Sequence, residues 1–193
     1  MRIRRKLLLL IALMPFVASC ATAPPNLSDV RSERIAVPAT KVIIVDYTRQ
    51  KKYSPSEAIW SSGFHPLPNE ATIPSFTELV LKNLNARLYG AGDRGTNLEV
   101  AVLDASLLME SHIADSIAFI GIASAFSKRK YMCRVDVNLR YGDKTVRKVF
   151  EAVDSKSRAW DDLPTDEKAA MVSNLIGQVV GDIAHFSSEF IRR

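Results

Sequence analysis

The stretch "YMCRVDVNLRYGDKTVRKVFEAV" (residues 131–153) alternates apolar and polar side chains, then reverses at a glycine. Successive side chains of an extended chain point to opposite faces. Cys133, Val135, Val137, Leu139 and Tyr141 therefore share one face, and Arg134, Asp136, Asn138 and Arg140 share the other. Gly142-Asp143 is a two-residue pair of the kind that closes antiparallel hairpins. Residues 131–141 and 144–153 are thus predicted to pair. The polar second face implies a sheet left partly to solvent on one side.

The neighbouring segments supply the rest of the sheet and its cover. NLEVAVLDASLLM (97–109) reads as a strand, and KVIIVDY (41–47) as a buried one, from its β-branched run. SFTELVLKNLNARLYG (75–90) reads as a helix. Ser75 and Glu78 have the spacing of a capping box, Phe76, Leu79, Val80, Leu84 and Leu88 recur at threes and fours, and Gly90 is the expected stop. A last helix opens at Thr165 after Pro164, with Asp166 and Glu167 at its positive end. Its apolar stripe is Val172, Leu175, Ile176, Val179, Ile183, Phe186 and Phe190. The order β-α-β-β-β-α predicts an α+β two-layer sandwich: a mainly antiparallel four-stranded sheet with two helices on one face. Positions 48–73 are left as a long loop.

The N-terminal segment has a different chemistry. Arg2, Arg4, Arg5 and Lys6 precede the apolar run Leu7–Ser19, the order of a secretory signal peptide. The run is too short for a membrane-spanning helix, which needs about 20 residues. Val17-Ala18-Ser19-Cys20 resembles a bacterial lipobox, in which the peptide is cut before a cysteine that carries diacylglycerol and a fatty acid. Ala21, rather than Asp, resembles the sorting signal for the outer membrane. Several acyl chains anchor stably where one does not.

Setting residues 1–19 aside as signal peptide changes the charge. The full chain has 26 basic and 21 acidic residues, net +5. All four basic residues of the leader go with it, leaving net +1, so no basic patch argues for nucleic acid. With Cys20 acylated, Cys133 has no partner for a disulfide. It is expected to be an inert core thiol. Residues 20–38 are polar with three prolines and read as a flexible tether, reaching roughly 55–60 Å when extended. Residues 39–193 are one domain's worth of chain.

Beyond the lipobox, VIIVDY, NARLYG, LEVAVLDASL, the RVDVNLRYGDK hairpin and the terminal helix follow one another in an order similar to YajG-type outer-membrane lipoproteins. More loosely, they resemble the auxiliary lipoproteins of envelope ABC transporters. The resemblance implies a non-enzymatic lipoprotein on the periplasmic side of the outer membrane and carries no catalytic signature.

Catalytic and metal chemistry find little support in the residues themselves. H-E-x-x-H, G-x-S-x-G and C-x-x-C are absent from the sequence. His65, His112 and His185 lie far apart and are expected to be surface or satisfied polar groups, with no metal site. Asp161 and Asp162 are adjacent loop acids leading into a helix, and GAGDRG (90–95) follows a helix rather than opening one. No catalytic residues, metal or cofactor are expected beyond the acyl groups on Cys20.

Two features remain. IADSIAFIGIASAFS (113–127) is uncharged after Asp115 and precedes Lys128-Arg129-Lys130. It could be core, a contact for an envelope protein or a second copy, or a segment lying on a membrane. Ile117, Phe119, Ile120, Ile122 and Phe126 are its candidate contact residues. Ser173, Gly177 and Gly181 recur every four residues on the last helix. Interior glycine costs about 1 kcal/mol relative to alanine, so close backbone approach is expected there. The expected function is a structural or accessory binding module. The alternative is an auxiliary transport subunit that binds a lipid or hydrophobic ligand.

Overall fold

The computed structural model describes residues 24–27, 33–48, 63–93, 95–111 and 128–193. Among them the elements are β1 (Ile35–Val37), β2 (Val42–Asp46), β3 (Gly63–Pro66), α1 (Phe76–Arg87), β4 (Leu88–Gly90), β5 (Leu98–Ser111), β6 (Arg129–Tyr141), β7 (Lys144–Lys156) and α2 (Thr165–Arg192). The fold is α+β, with two α-helices and two sheets among the described residues.

The main sheet has five strands, not four, and is mixed. β5, β6 and β7 form the expected antiparallel ladder. Tyr141 pairs with Lys144 across a two-residue turn, and Gly142 takes φ +63° there. That is the region glycine enters at no steric cost. β2 runs parallel to β5 along Leu98–Val102, and β3 runs antiparallel along Leu108–Ser111 on the same edge. β2 is therefore an edge strand, half-exposed at most positions, and Ile43 faces solvent. This corrects the buried strand expected there: a β-branched run reports strand propensity but not which side is covered.

The apolar face expected for residues 131–141 is the core. Cys133, Val135, Val137 and Leu139 are fully buried together with Val100, Val102 and Val172, Leu175, Ile176, Val179 and Ile183 of α2, while Tyr141, Phe186 and Phe190 pack against them half-buried. Both helices pack on the main sheet and on each other. α1 begins with the expected capping box. The Glu78 N–H donates to Ser75 Oγ at 3.4 Å, and the Ser75 N–H donates to Glu78 Oε2 at 3.1 Å.

The C-terminal end of α1 differs from expectation. The helix stops at Arg87, and Leu88–Gly90 becomes β4, paired in parallel with β1. Gly90 is not a helix cap. A Cβ built on it would lie 2.5 Å from Thr40 O and 2.7 Å from Ala39 O, and one on Gly92 would lie 2.8 Å from the Pro38 carbonyl carbon. The GAGDRG glycines thus let two backbones meet.

The segment expected to be a free tether is partly built into the domain. Leu27 is buried in the core. Its N–H donates to Ile73 O at 2.8 Å, and the Ile73 N–H donates to Pro25 O at 3.0 Å. With β1 at Ile35–Val37, the folded unit begins before residue 39.

The small-residue row on α2 also departs from expectation. A Cβ on Gly181 would meet nothing within 4 Å, and one on Gly177 would reach only Arg87 Nη1 at 3.9 Å. Arg87 Nη1 donates to Gly177 O at 2.9 Å. No close backbone approach explains Gly181. Gly181→Ala should therefore raise stability by about 0.5–1 kcal/mol through helix propensity, read as a higher urea midpoint with an unchanged slope. A lower midpoint would mean that another chain packs on this face.

Candidate functional site

β5 ends at Ser111 and β6 begins at Arg129. The insert 113–127 between them, with Ile117, Phe119, Ile120, Ile122 and Phe126, lies outside the described residues, as do Val17, Ala18, Ser19, Cys20 and His112. The root of the insert is described. Its register places Pro66 opposite Leu108, Leu108 opposite Met132, and Met132 opposite Val153. Leu108 and Met132 alternate with the core residues Leu107 and Cys133. The row therefore lies on the sheet face away from the helices. Val153 is 47% exposed there, and Val149 and Ile43 are exposed on the same face, opposite Asp136 and Glu99.

Charged side chains elsewhere on that face are ion-paired across the strands. Lys130 Nζ meets Glu110 Oε1 at 3.4 Å, Arg134 Nε meets Glu151 Oε1 at 3.7 Å, and Arg140 Nη2 meets Glu99 Oε2 at 2.5 Å. Asp136 is buried and sits opposite Asp104 at a break in the β5–β6 register. Arg147 holds it with two bonds, at 3.1 and 2.6 Å. The carboxylate beside Arg147 keeps its guanidinium charged. Matched pairs of this kind leave little net charge for a ligand to read, and the apolar row stands next to the root of the insert.

The residues that could carry chemistry are placed as structure. Cys133 is buried, and burial alone pushes its thiol up to about 12. A group kept neutral in the fold whose unfolded counterpart titrates near 9 contributes stability in full below that pH. The contribution is lost as pH rises from about 9 towards 12, by about 1.4 kcal/mol per unit. The stability difference between the wild type and Cys133→Ala should therefore shrink between pH 9 and 11 in urea titrations. A constant difference would contradict it. The native thiol should also resist alkylation at neutral pH.

His65 lies in β3 opposite Met109, and His185 on α2 pairs with Glu189 at 3.3 Å on the surface. The structure does not bring these two histidines or Cys133 together as a site. Among the described residues, no group of three or more His, Cys, Asp or Glu is placed to hold a metal ion. Asp161 and Asp162 sit exposed in a one-turn 3₁₀ helix, Trp160–Asp162, ahead of α2. Their charges partly offset the desolvation that lowers the Lys168 ammonium's pKa.

Lys168 is the residue the sequence reading passed over. It is almost fully buried, with Nζ 5.1 Å from the centre of the Trp160 ring. Tyr131 packs on the same ring and donates its hydroxyl to Arg158 O at 2.9 Å, and desolvation holds that hydroxyl's pKa above its usual value. The cluster ties the end of β7 to the start of α2. Its signal was spacing: Lys168, Val172 and Leu175 fall on one helical face.

No family model and no curated protein matches the chain. A solved structure described as "Crystal structure of uncharacterized protein" is 10% identical, covers 83% of this chain and 97% of its own, and superposes at a TM-score of 0.34. That likeness carries no argument. Among the described residues no helix is long and apolar enough to cross a membrane.

Proposed function

We propose that the chain is an envelope lipoprotein, anchored through acylated Cys20 on the periplasmic side of the outer membrane. Its α+β domain, a two-layer sandwich, acts as a non-enzymatic structural or accessory binding module. The observation that carries this reading is the coincidence of Arg2–Lys6, a short apolar run, Val17-Ala18-Ser19 and Cys20. The YajG-type likeness adds support only through element order.

The contact surface proposed is the insert, with Ile117, Phe119, Ile120, Ile122 and Phe126, together with Leu108, Met132 and Val153 at its root. An apolar segment ahead of a basic flank, next to an apolar row on an ion-paired face, fits an envelope protein or a second copy better than a polar ligand. The competing reading is a transport auxiliary that takes a hydrophobic ligand between sheet and helices. Val100, Val135, Leu175 and Ile176 already occupy that layer, which favours the first reading.

Crosslinking in intact envelopes tests it. Removing 113–127 and joining the strands with a short turn should abolish the crosslinked product while leaving the far-ultraviolet dichroism unchanged. Retention of the product contradicts the contact assignment. Loss of the folded signal makes the segment core.

A further inference from the structure

The strap formed by residues 24–27 fixes where an anchor at Cys20 can lie. Pro25 O is hydrogen-bonded to the Ile73 N–H, and Leu27 is buried beside it. Five residue steps separate Cys20 from Pro25, about 17 Å when fully extended. A free tether over 20–38 would have allowed more than three times that reach. The docked strap therefore changes the geometry of anchoring from a long leash to a short one.

Ile73 itself is 52% exposed, the most exposed of the large apolar side chains among the described residues. It precedes α1, whose Thr77 Oγ1 donates to Ala105 O, and follows Leu67, whose N–H donates to Leu107 O. Ile73 thus belongs to the half of the domain towards the Ser111 end of β5. The Gly142-Asp143 turn lies beyond Leu98, at the other end of the same strand. Leu107 and Leu98 are about 30 Å apart along it.

We infer that residues 24–27 act as a strap that holds the Ile73 side of the domain against the lipid surface, leaving the Gly142-Asp143 turn pointing away from it. The inference rests on the acylated-Cys20 reading above. Glu70 and Glu78 flank this side, so the anchor and strap hold the contact, and added salt leaves it unchanged. The root of the insert, in the same half, faces the space close to the membrane.

The test uses the full-length precursor, matured in bacteria and reconstituted into phosphatidylethanolamine–phosphatidylglycerol vesicles. Ile73→Cys and Asp143→Cys variants carry a fluorophore, Cys133 being buried and Cys20 acylated. A headgroup-attached quencher should quench the Ile73 label several-fold more than the Asp143 label, at low and high salt alike. Inserting a flexible Gly/Ser segment between Thr22 and Ala23, which leaves the strap's own contacts intact, should bring the two towards equality. Leu27→Gly, with folding checked by dichroism, should do the same. Equal quenching in the parent protein, or a difference that survives the inserted segment, overturns the strap while leaving the anchor standing. A protein that fails to float with the vesicles overturns the anchor, and the strap's role with it.

Discussion

Gly90→Ala should destabilise the domain by about 2–4 kcal/mol, a fall of roughly 5–15 °C in melting temperature for a domain of this size. The added methyl would lie 2.5 Å from Thr40 O and 2.6 Å from the Thr40 carbonyl carbon, and neither is the flexible end of a side chain. Relief requires moving the β1–β2 connection. That connection is held by Thr40 N–H to Thr96 O at 2.9 Å, Ala91 N–H to Val37 O at 2.9 Å and Gly92 N–H to Ala39 O at 2.9 Å. Val37 and Ala39 are themselves fully buried. Either the bonds lengthen or the core opens. Gly181→Ala has the opposite expected sign, since its methyl meets nothing within 4 Å. Urea unfolding of the two variants side by side separates close approach from mere helix preference. A wild-type midpoint for Gly90→Ala would show that β4 and the 38–40 backbone do not meet.

Cys20→Ser should abolish maturation. A hydroxyl in place of the thiol removes the nucleophile that takes the diacylglycerol, and cleavage before residue 20 depends on that modification in the lipobox-type signals this leader resembles. The precursor should keep its leader, migrate more slowly on a gel, and lose the acyl chains that hold the mature form in membranes. Pulse labelling with a radioactive fatty acid reads the loss directly. Normal processing of the variant would make Cys20 incidental and the chain an ordinary secreted protein.

The parts of the fold that showed in the sequence are those written in a local period. Cys133 to Leu139 declare a strand by alternation, Gly142-Asp143 declares its turn, and Ser75 with Glu78 declares a helix start. The stripe from Val172 to Ile183 does the same for α2. The pieces that did not show are short and non-local. β1 is three residues before a proline. β3 is Gly-Phe-His-Pro, poor in strand formers, and finds its partner 45 residues on at Leu108–Ser111. Leu88–Gly90 continues the helical spacing of α1 yet becomes a strand, because β1 supplies a partner. Leu27 is one apolar residue in a polar stretch, and only its bonds to Ile73 reveal that it belongs to the core. Of the candidate site, Cys20 and the insert were legible as patterns. The apolar row Leu108–Met132–Val153 was not, because it exists only once three strands share a register.

The anchor at Cys20 is tested by the mass of the mature N-terminal tryptic peptide, taken from protein extracted from membranes. That peptide should run from Cys20 to Arg31 and carry diacylglycerol and one further fatty acid. An unmodified Cys20, or a peptide that still contains residues of the leader, would contradict it.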